Sequence, residues 1–257
     1  MKDLVKLVRY EMKNNRKSIL VLIFGYSLLC TLFSLFFQVL NLLWLGIIII
    51  LIFSFLFVIQ LHQFIFQRVQ GKENNWSQLF KIPKIEKSHM IILPVLLGII
   101  AALFIILYFI SSNPLLVGLA LVFLLSMMIV SNAIFQIYLY LTFEGKYGNI
   151  ERIKKAVSLV FSEKKALTHL LVRYVRFMMI GGFLTFSANV FVYAKQLEPL
   201  LQSPETEPIQ KIFASDLSFV VQSTGIQMTV LYIMIYSGFL YAYLNWNSNH
   251  KAKKKRK

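Results

Sequence analysis

Charged residues vanish from four long stretches of the chain. Asp, Glu, Lys and Arg are absent from residues 18–67 and 88–143, which run for 50 and 56 residues. They are absent again from 177–194 and 217–250, over 18 and 34 residues. A helix rises ~1.5 Å per residue, so roughly 20 apolar residues cross the ~30 Å of a bilayer's hydrocarbon. The first two stretches are each too long for one crossing and predict two helices with a turn; the other two predict one each. The expected spans are 18–38, 43–66, 89–110, 115–142, 168–194 and 219–245, arranged as three hairpins. Gln38 and Asn41 bracket the first outer turn, and Ser111-Ser112-Asn113-Pro114 forms the second, with the proline opening the next helix. The expected fold is all-α: a polytopic membrane helical bundle of six transmembrane helices. It forms a single domain over 1–245, followed by a basic tail over 246–257.

A different periodicity marks the segment EGKYGNIERIKKAVSLVFSEKK, residues 144–165, which carries nine charged side chains between two apolar runs. Ile150, Ile153, Val157, Val160 and Phe161 recur at steps of three and four and share one stripe of a helix near 149–163. Glu151, Arg152, Lys154, Lys155 and Ser158 fill the rest of its surface, and Asn149 is the expected N-cap. Such a helix lies flat at the cytosolic lipid boundary, or packs its stripe on the bundle or on another protein. Both readings stand at this level. The N-terminus repeats the device: Leu4, Val5, Leu7, Val8 and Met12 interleave with Lys2, Lys6, Arg9 and Lys13, predicting a short amphipathic elbow before the first span. The outer segment 195–218 holds Pro199, Pro204 and Pro208, so it is no single helix and is too short for a domain. It has the length to fold back as a lid.

The loops after the second and fourth spans share a pattern. Gly71-Lys72, Asn75, Trp76, Leu79 and Lys81 match Gly145-Lys146, Asn149, Ile150, Ile153 and Lys155 at a constant offset of 74. Tandem hairpins of one ancestral kind would produce this, as would convergence of basic loops beside a membrane.

Composition and charge place these helices. The chain is 58% hydrophobic, above the roughly 45–50% of a soluble domain. Segments 1–17, 68–87, 144–176 and 246–257 carry 25 of the 27 Lys and Arg residues. Only Lys195 and Lys211 fall on the other side, beside Glu198, Glu205, Glu207 and Asp216. The positive-inside rule then puts both termini in the cytosol. The net charge of +16 does not point to nucleic acid, because it is spread over four loops that abut an anionic inner leaflet, where each basic residue gains about 1 kcal/mol. Lys253, Lys254, Lys255, Arg256 and Lys257 form a disordered surface anchor for anionic lipid in this reading. Cys30 is the only cysteine and excludes an intrachain disulfide. The apolar run after the basic start lacks an A-x-A-like cleavage site, so the first helix is expected to be retained.

Candidate chemistry is sparse. No charged residue sits deep in a span, which argues against proton pumping, voltage sensing and many ion-coupled transporters. His62, His89, His169 and His250 are scattered, without a cysteine or carboxylate set for a metal. The Gly-Lys pairs lack the flanking residues of a phosphate loop. No catalytic, metal or cofactor site is expected. The remaining candidates are polar residues within spans. Gln60 and Gln63 share a face, as do Asn132 and Gln136; Asn189 sits in the fifth span; Gln222, Gly225, Thr229, Tyr232, Tyr236 and Tyr243 form a stripe on the sixth. An unpaired amide costs several kcal/mol in lipid, roughly, so these faces are expected to point inward. They serve as interhelical hydrogen bonds, or they line a substrate path.

Two resemblances bear on function. Asn41-Leu42-Leu43-Trp44-Leu45, then Phe66 to Glu73 leading to Leu79-Phe80-Lys81, and the later run Tyr138 to Lys155 continuing to Leu167, resemble the YesL-like family of bacterial membrane proteins of unknown function. That resemblance covers residues 40–190 and implies an accessory role beside an uptake system. Leu4 to Lys17 before the first span is similar to the start of ABC-2-type transporter permeases. It implies a six-span subunit with an elbow helix, a coupling helix at 72–87 and an ABC ATPase as partner. The expected function is a non-enzymatic accessory or regulatory component of a transport or envelope system in a bacterial cytoplasmic membrane. Trp76, Phe80, Ile150, Ile153, Val157, Lys154 and Lys155 are its expected contacts with a partner or the membrane surface. An exporter permease subunit is the first alternative, and self-immunity to a membrane-active peptide, using 195–218, the second.

Overall fold

A computed structural model describes residues 2–72, 79, 114–192 and 216–254. Among them are seven helices and no strand: α1 (Lys2–Asn14), α2 (Arg16–Val39), α3 (Leu43–Val69), α4 (Pro114–Glu144), α5 (Asn149–Ser162), α6 (Lys164–Val192) and α7 (Asp216–Lys254). The expected third span, 89–110, lies outside the described residues. Among the described residues four helical stretches are long and apolar enough to cross a membrane: Arg16–Val39, Ile48–Val69, Lys164–Ala188 and Ser218–Asn247.

The helix ends follow from local chemistry. Asn41 takes a left-handed conformation, φ 55°. Its N–H donates to the Gln38 carbonyl and that of Leu42 to the Phe37 carbonyl, a Schellman closure of α2. Asparagine is the commonest substitute for glycine there, which is why the turn falls where Gln38 and Asn41 indicated. Gly71 (φ 79°) closes α3 by the same pair of bonds, from Gly71 to Arg68 and Lys72 to Gln67. Gly145 (φ 68°) ends α4, its N–H on the Thr142 carbonyl. The glycines shared by the two Gly-Lys loops therefore have a capping cause. Pro114 opens α4, where its missing N–H costs nothing.

Two expectations need correction. Asn149 is not the N-cap of α5; that position belongs to Gly148, and Asn149 is the first helical residue. Its side chain accepts instead from Arg152, at 3.4 Å. The expected disordered anchor is helical as far as it is described, because α7 continues without a break to Lys254, 39 residues in all. An established helix adds residues cheaply, and the cations at its C-terminal end suit the helix dipole.

The chain divides into two compact units. The first comprises 1–6, 55–171 and 237–257. In it Phe55 and Ile59 of α3 pack with Leu139 of α4, and Phe135 and Phe143 border them. Phe66 stacks on Tyr140 at 5.8 Å between ring centres and meets Phe143 at 5.9 Å. Higher numbers on α3 meet higher numbers on α4, so these two helices run parallel.

The second unit comprises 7–54 and 172–236. Here Tyr26 of α2 donates to Ser54 of α3 at 2.8 Å and stacks on Phe53. A side chain at Gly46 would overlap Phe37, so α2 and α3 form a tight antiparallel hairpin. Helices α6 and α7 cross through reciprocal pairs. A methyl group on Gly181 would overlap Thr229, and one on Gly225 would overlap Thr185. Each threonine turns its hydroxyl back onto its own helix, Thr185 to the Gly181 carbonyl at 2.7 Å and Thr229 to that of Gly225 at 2.9 Å. Small residues four apart on both helices let the backbones touch, the packing that works where no hydrophobic force separates helix from solvent.

Much apolar surface stays outside. Only 6% of the apolar window of α6 is buried, and Met179, Phe183 and Phe191 are 71%, 70% and 85% exposed.

Gly181→Ala and Gly225→Ala should each lower the melting temperature of the detergent-purified protein, with a cost of about 1–3 kcal/mol for overpacking. Thr229→Ala should recover part of the loss in Gly181→Ala. Gly182→Ala, where a methyl meets nothing within 4 Å, should leave the melting temperature unchanged or raise it.

Candidate functional site

Three helices of the first unit meet at Gly238 of α7. A methyl there would press on Ile65 at 2.9 Å and on the Tyr140 hydroxyl at 3.2 Å, with His62 Nε2 at 3.7 Å. Removing the side chain brings the α7 backbone against α3 and α4, and Tyr140 uses the approach to donate to the Gly238 carbonyl at 2.8 Å. Around this point runs a polar seam between α4 and α7. Gln136 Nε2 donates to Ser237 Oγ at 2.7 Å and to Asn132 Oδ1 at 3.4 Å. One turn and two turns further along α4 come Tyr140 and Glu144, the latter accepting from Asn245 Nδ2 at 2.7 Å. Lys146 lies 3.6 Å from the other oxygen of Glu144. The pairs advance together along both helices, so α4 and α7 are parallel.

His62 is fully buried beside this seam, its ring 5.8 Å from that of Tyr140. Its Nδ1 donates to the Val58 carbonyl at 2.8 Å, which leaves Nε2 as an acceptor. His62 Nε2, Gln136 Oε1 and the Tyr241 hydroxyl are buried without hydrogen-bond partners among the described residues. A buried orphan costs about 1–3 kcal/mol, so the junction trades stability for polarity. Among the described residues no three His, Cys, Asp or Glu side chains gather to hold a metal ion.

The second unit has a smaller polar contact. Thr31 of α2, fully buried, donates to the Ser27 carbonyl at 2.9 Å and lies 3.2 Å from Thr224 and 3.4 Å from Ser223 of α7.

The residues singled out from the sequence fall in several places. Gln136 is buried in the α4–α7 seam, while Gln60, Gln63 and Asn132 are half-buried. Gln222 donates to Ser218 within its own helix at 2.7 Å. Thr229 packs on Gly181. Tyr232 meets Phe177 edge-on at 4.8 Å, and Tyr236 is buried beneath Arg173. Asn189 lies in α6 with its side chain outside the described residues, as do the side chains of Lys253 and Lys254. Trp76, Phe80, Lys255, Arg256 and Lys257 lie wholly outside them. Sequence reasoning passed over Tyr140, Glu144, Ser237 and Asn245. The spacing of four from Gln136 to Tyr140 to Glu144 was the signal that could have found the α4 side.

Helix α5 is the other candidate surface. It packs against α4 and buries Arg152, Ala156 and Val160, one residue per turn. The stripe Ile150, Ile153 and Phe161 is left 73%, 51% and 51% exposed, with Val157 half-buried and Lys154 exposed beside it. Of the predicted stripe only Val160 is buried. Lys155 is held by Tyr147, donating to its hydroxyl with the ammonium 3.8 Å from the ring centre.

Compared with family models, curated proteins and solved structures, the chain matches none.

Gln136→Leu should destabilise the folded protein by about 1–2 kcal/mol, since it removes a buried bond and leaves Ser237 without that partner. His62→Phe should be neutral or stabilising in the same melting assay, because it removes an orphaned acceptor. A variant that gains stability and loses biological activity would mark His62 as working chemistry.

Proposed function

We propose that the chain is a non-enzymatic integral protein of a bacterial cytoplasmic membrane, acting as an accessory or regulatory component of a transport or envelope system. Six spans, with both termini in the cytosol, are the topology that best fits. The parallel course of α3 and α4 supports it: two parallel spans in succession require the intervening chain to recross the bilayer, and 89–110 is the apolar stretch able to do so. The antiparallel pairs α2–α3 and α6–α7 fit the same hairpin scheme. The charge count favours the cytosol for α1, α5 and the end of α7.

The observation that carries the role is the two-faced α5. Its Arg152, Ala156 and Val160 face is spent on the protein, and a second apolar face of Ile150, Ile153 and Phe161 remains open beside Lys154. A helix needs only one apolar face to stay docked; the second is available to another subunit at the membrane surface. This surface is the one we assign to partner binding.

A second reading, the permease subunit of an ABC-2-type exporter, is favoured by the N-terminus. Leu4, Val8 and Met12 bury one face of α1 while its basic residues stay exposed. At Asn15 the chain leaves α1 and enters α2 at Arg16, with the Asn15 side chain returning to the Glu11 carbonyl at 2.8 Å. An amphipathic helix leading directly into the first span supports that reading.

Cross-linking in intact cells followed by affinity purification should recover a membrane partner, and Ile150→Asp with Ile153→Asp should lose it without lowering the melting temperature. Recovery of an ATPase, with ATP turnover lost on replacing Trp76 or Phe80, selects the permease reading. Absence of any partner from the unmutated protein sinks both. For topology, a cysteine at Lys154 in a Cys30→Ser background should resist membrane-impermeant reagents until the cells are opened; labelling from outside would invert the scheme.

A further inference from the structure

A cleft of 690 Å³ opens in the second unit where α1, α2, α6 and α7 come together. Its volume falls within the roughly 300–1,000 Å³ of small-molecule sites. One end is cationic, lined by Arg9 and Lys13 of α1, Arg16 at the start of α2 and Arg173 of α6. The other end is apolar, lined by Ile19 and Leu20 on one wall and by Ile180 and Leu184 on the other. Among the described residues no acidic side chain lines the cleft.

The order of these residues along the chain matters. On the elbow wall the polarity changes from Arg9, Lys13 and Arg16 to Ile19 and Leu20; on α6 it changes from Arg173 to Ile180 and Leu184. Both helices turn apolar in the direction in which each would enter the bilayer from the cytosol. The two gradients therefore agree. In the bilayer placement proposed above, the cations stand at the height of the inner phosphates and the aliphatic side chains at the height of the acyl chains.

Arg173 is built into the wall rather than trailing in solvent. Its guanidinium carbon lies 4.9 Å from the centre of the Tyr236 ring and 5.7 Å from that of Phe177. Cation–π contact fixes the group without neutralising its charge, so its donors stay available to an anion. Arginine also suits phosphate better than lysine does, because its planar fork can donate two parallel bonds. Tyr232 and Tyr236 complete the lining between the charged and apolar ends.

We propose that this cleft binds one anionic glycerophospholipid of the cytosolic leaflet. The phosphate sits among Arg9, Lys13, Arg16 and Arg173, and an acyl chain lies along Ile19, Leu20, Ile180 and Leu184. The inference rests on the bilayer placement proposed above and is independent of what docks on α5. Charge complementarity selects the occupant: four cations without an acidic neighbour in the lining exclude a cationic amphiphile, and the apolar half disfavours a purely aqueous anion.

Native mass spectrometry of the full chain in a mild detergent tests this, with dioleoyl phosphatidylglycerol, dioleoyl phosphatidylcholine and glycerol 3-phosphate as probes. One phosphatidylglycerol should bind at least tenfold more tightly than phosphatidylcholine, with glycerol 3-phosphate weaker than either. Arg16→Gln with Arg173→Gln should abolish that preference, while Lys164→Gln with Lys165→Gln, which removes the same charge from exposed positions outside the cleft, should keep it. Leu20→Trp, which fills the apolar half and leaves every cation in place, should weaken binding of both lipids; it decides the matter if the arginine variant does not fold. Equal binding of the two lipids, equal loss in the Lys164/Lys165 variant, or tighter binding of glycerol 3-phosphate than of lipid would overturn the proposal. Failure here with the Lys154 cysteine still shielded would remove the lipid site and leave the topology standing.

Discussion

Hydrocarbon accepts no hydrogen bonds, so a chain placed in it must satisfy every backbone polar group from within. Long uninterrupted helices do this, and the described residues are almost wholly of that kind, with breaks at Asn15, residues 40–42, the Gly71 turn, the Gly145 turn and Glu163. The same constraint removes the usual force that gathers helices together, since a lipid tail is as apolar as leucine. What remains to hold them is close backbone approach and side-chain hydrogen bonds. Both occur here, and the Glu144 carboxylate is the one charged group among the bonds that join α4 to α7.

The two units use these means differently. At the α6–α7 crossing, Gly181 against Thr229 and Gly225 against Thr185 provide approach, and each threonine hydroxyl is satisfied within its own helix. At the α3–α4–α7 junction, Gly238 provides approach and Gln136, Tyr140 and Asn245 provide bonds between helices. The second arrangement leaves orphaned atoms at His62, Gln136 and Tyr241. It is less well satisfied and chemically richer, and it lies among the most deeply buried side chains of its unit.

The two surfaces that we propose to be functional lie at the outside of the protein. Helix α5 presents an apolar stripe that its own fold does not use. The elbow and Arg173 present cations above an apolar wall. Both features place a charged group next to uncovered hydrocarbon surface, the composition of a lipid–water interface. A soluble protein exposing Phe183 and Phe191 to this degree would aggregate. Here the exposure matches the solvent that we propose.

The amino-acid sequence by itself determined where helices lie and how they end. Spans 18–38 and 43–66 are met by Arg16–Val39 and Leu43–Val69, and the amphipathic helix near 149–163 by Asn149–Ser162. Runs of apolar residues and capping residues act locally, so their effect is readable from neighbours in the chain. The tertiary structure decided which polar residues meet. Gln136 was visible as a polar residue in a span, but its partner Ser237 lies 101 positions away, and no spacing rule spans that gap. It also decided that Ile150 and Ile153 face outward while Arg152 faces in. A helix of mixed character has several faces of similar apolarity, and only the surface packed against it selects one.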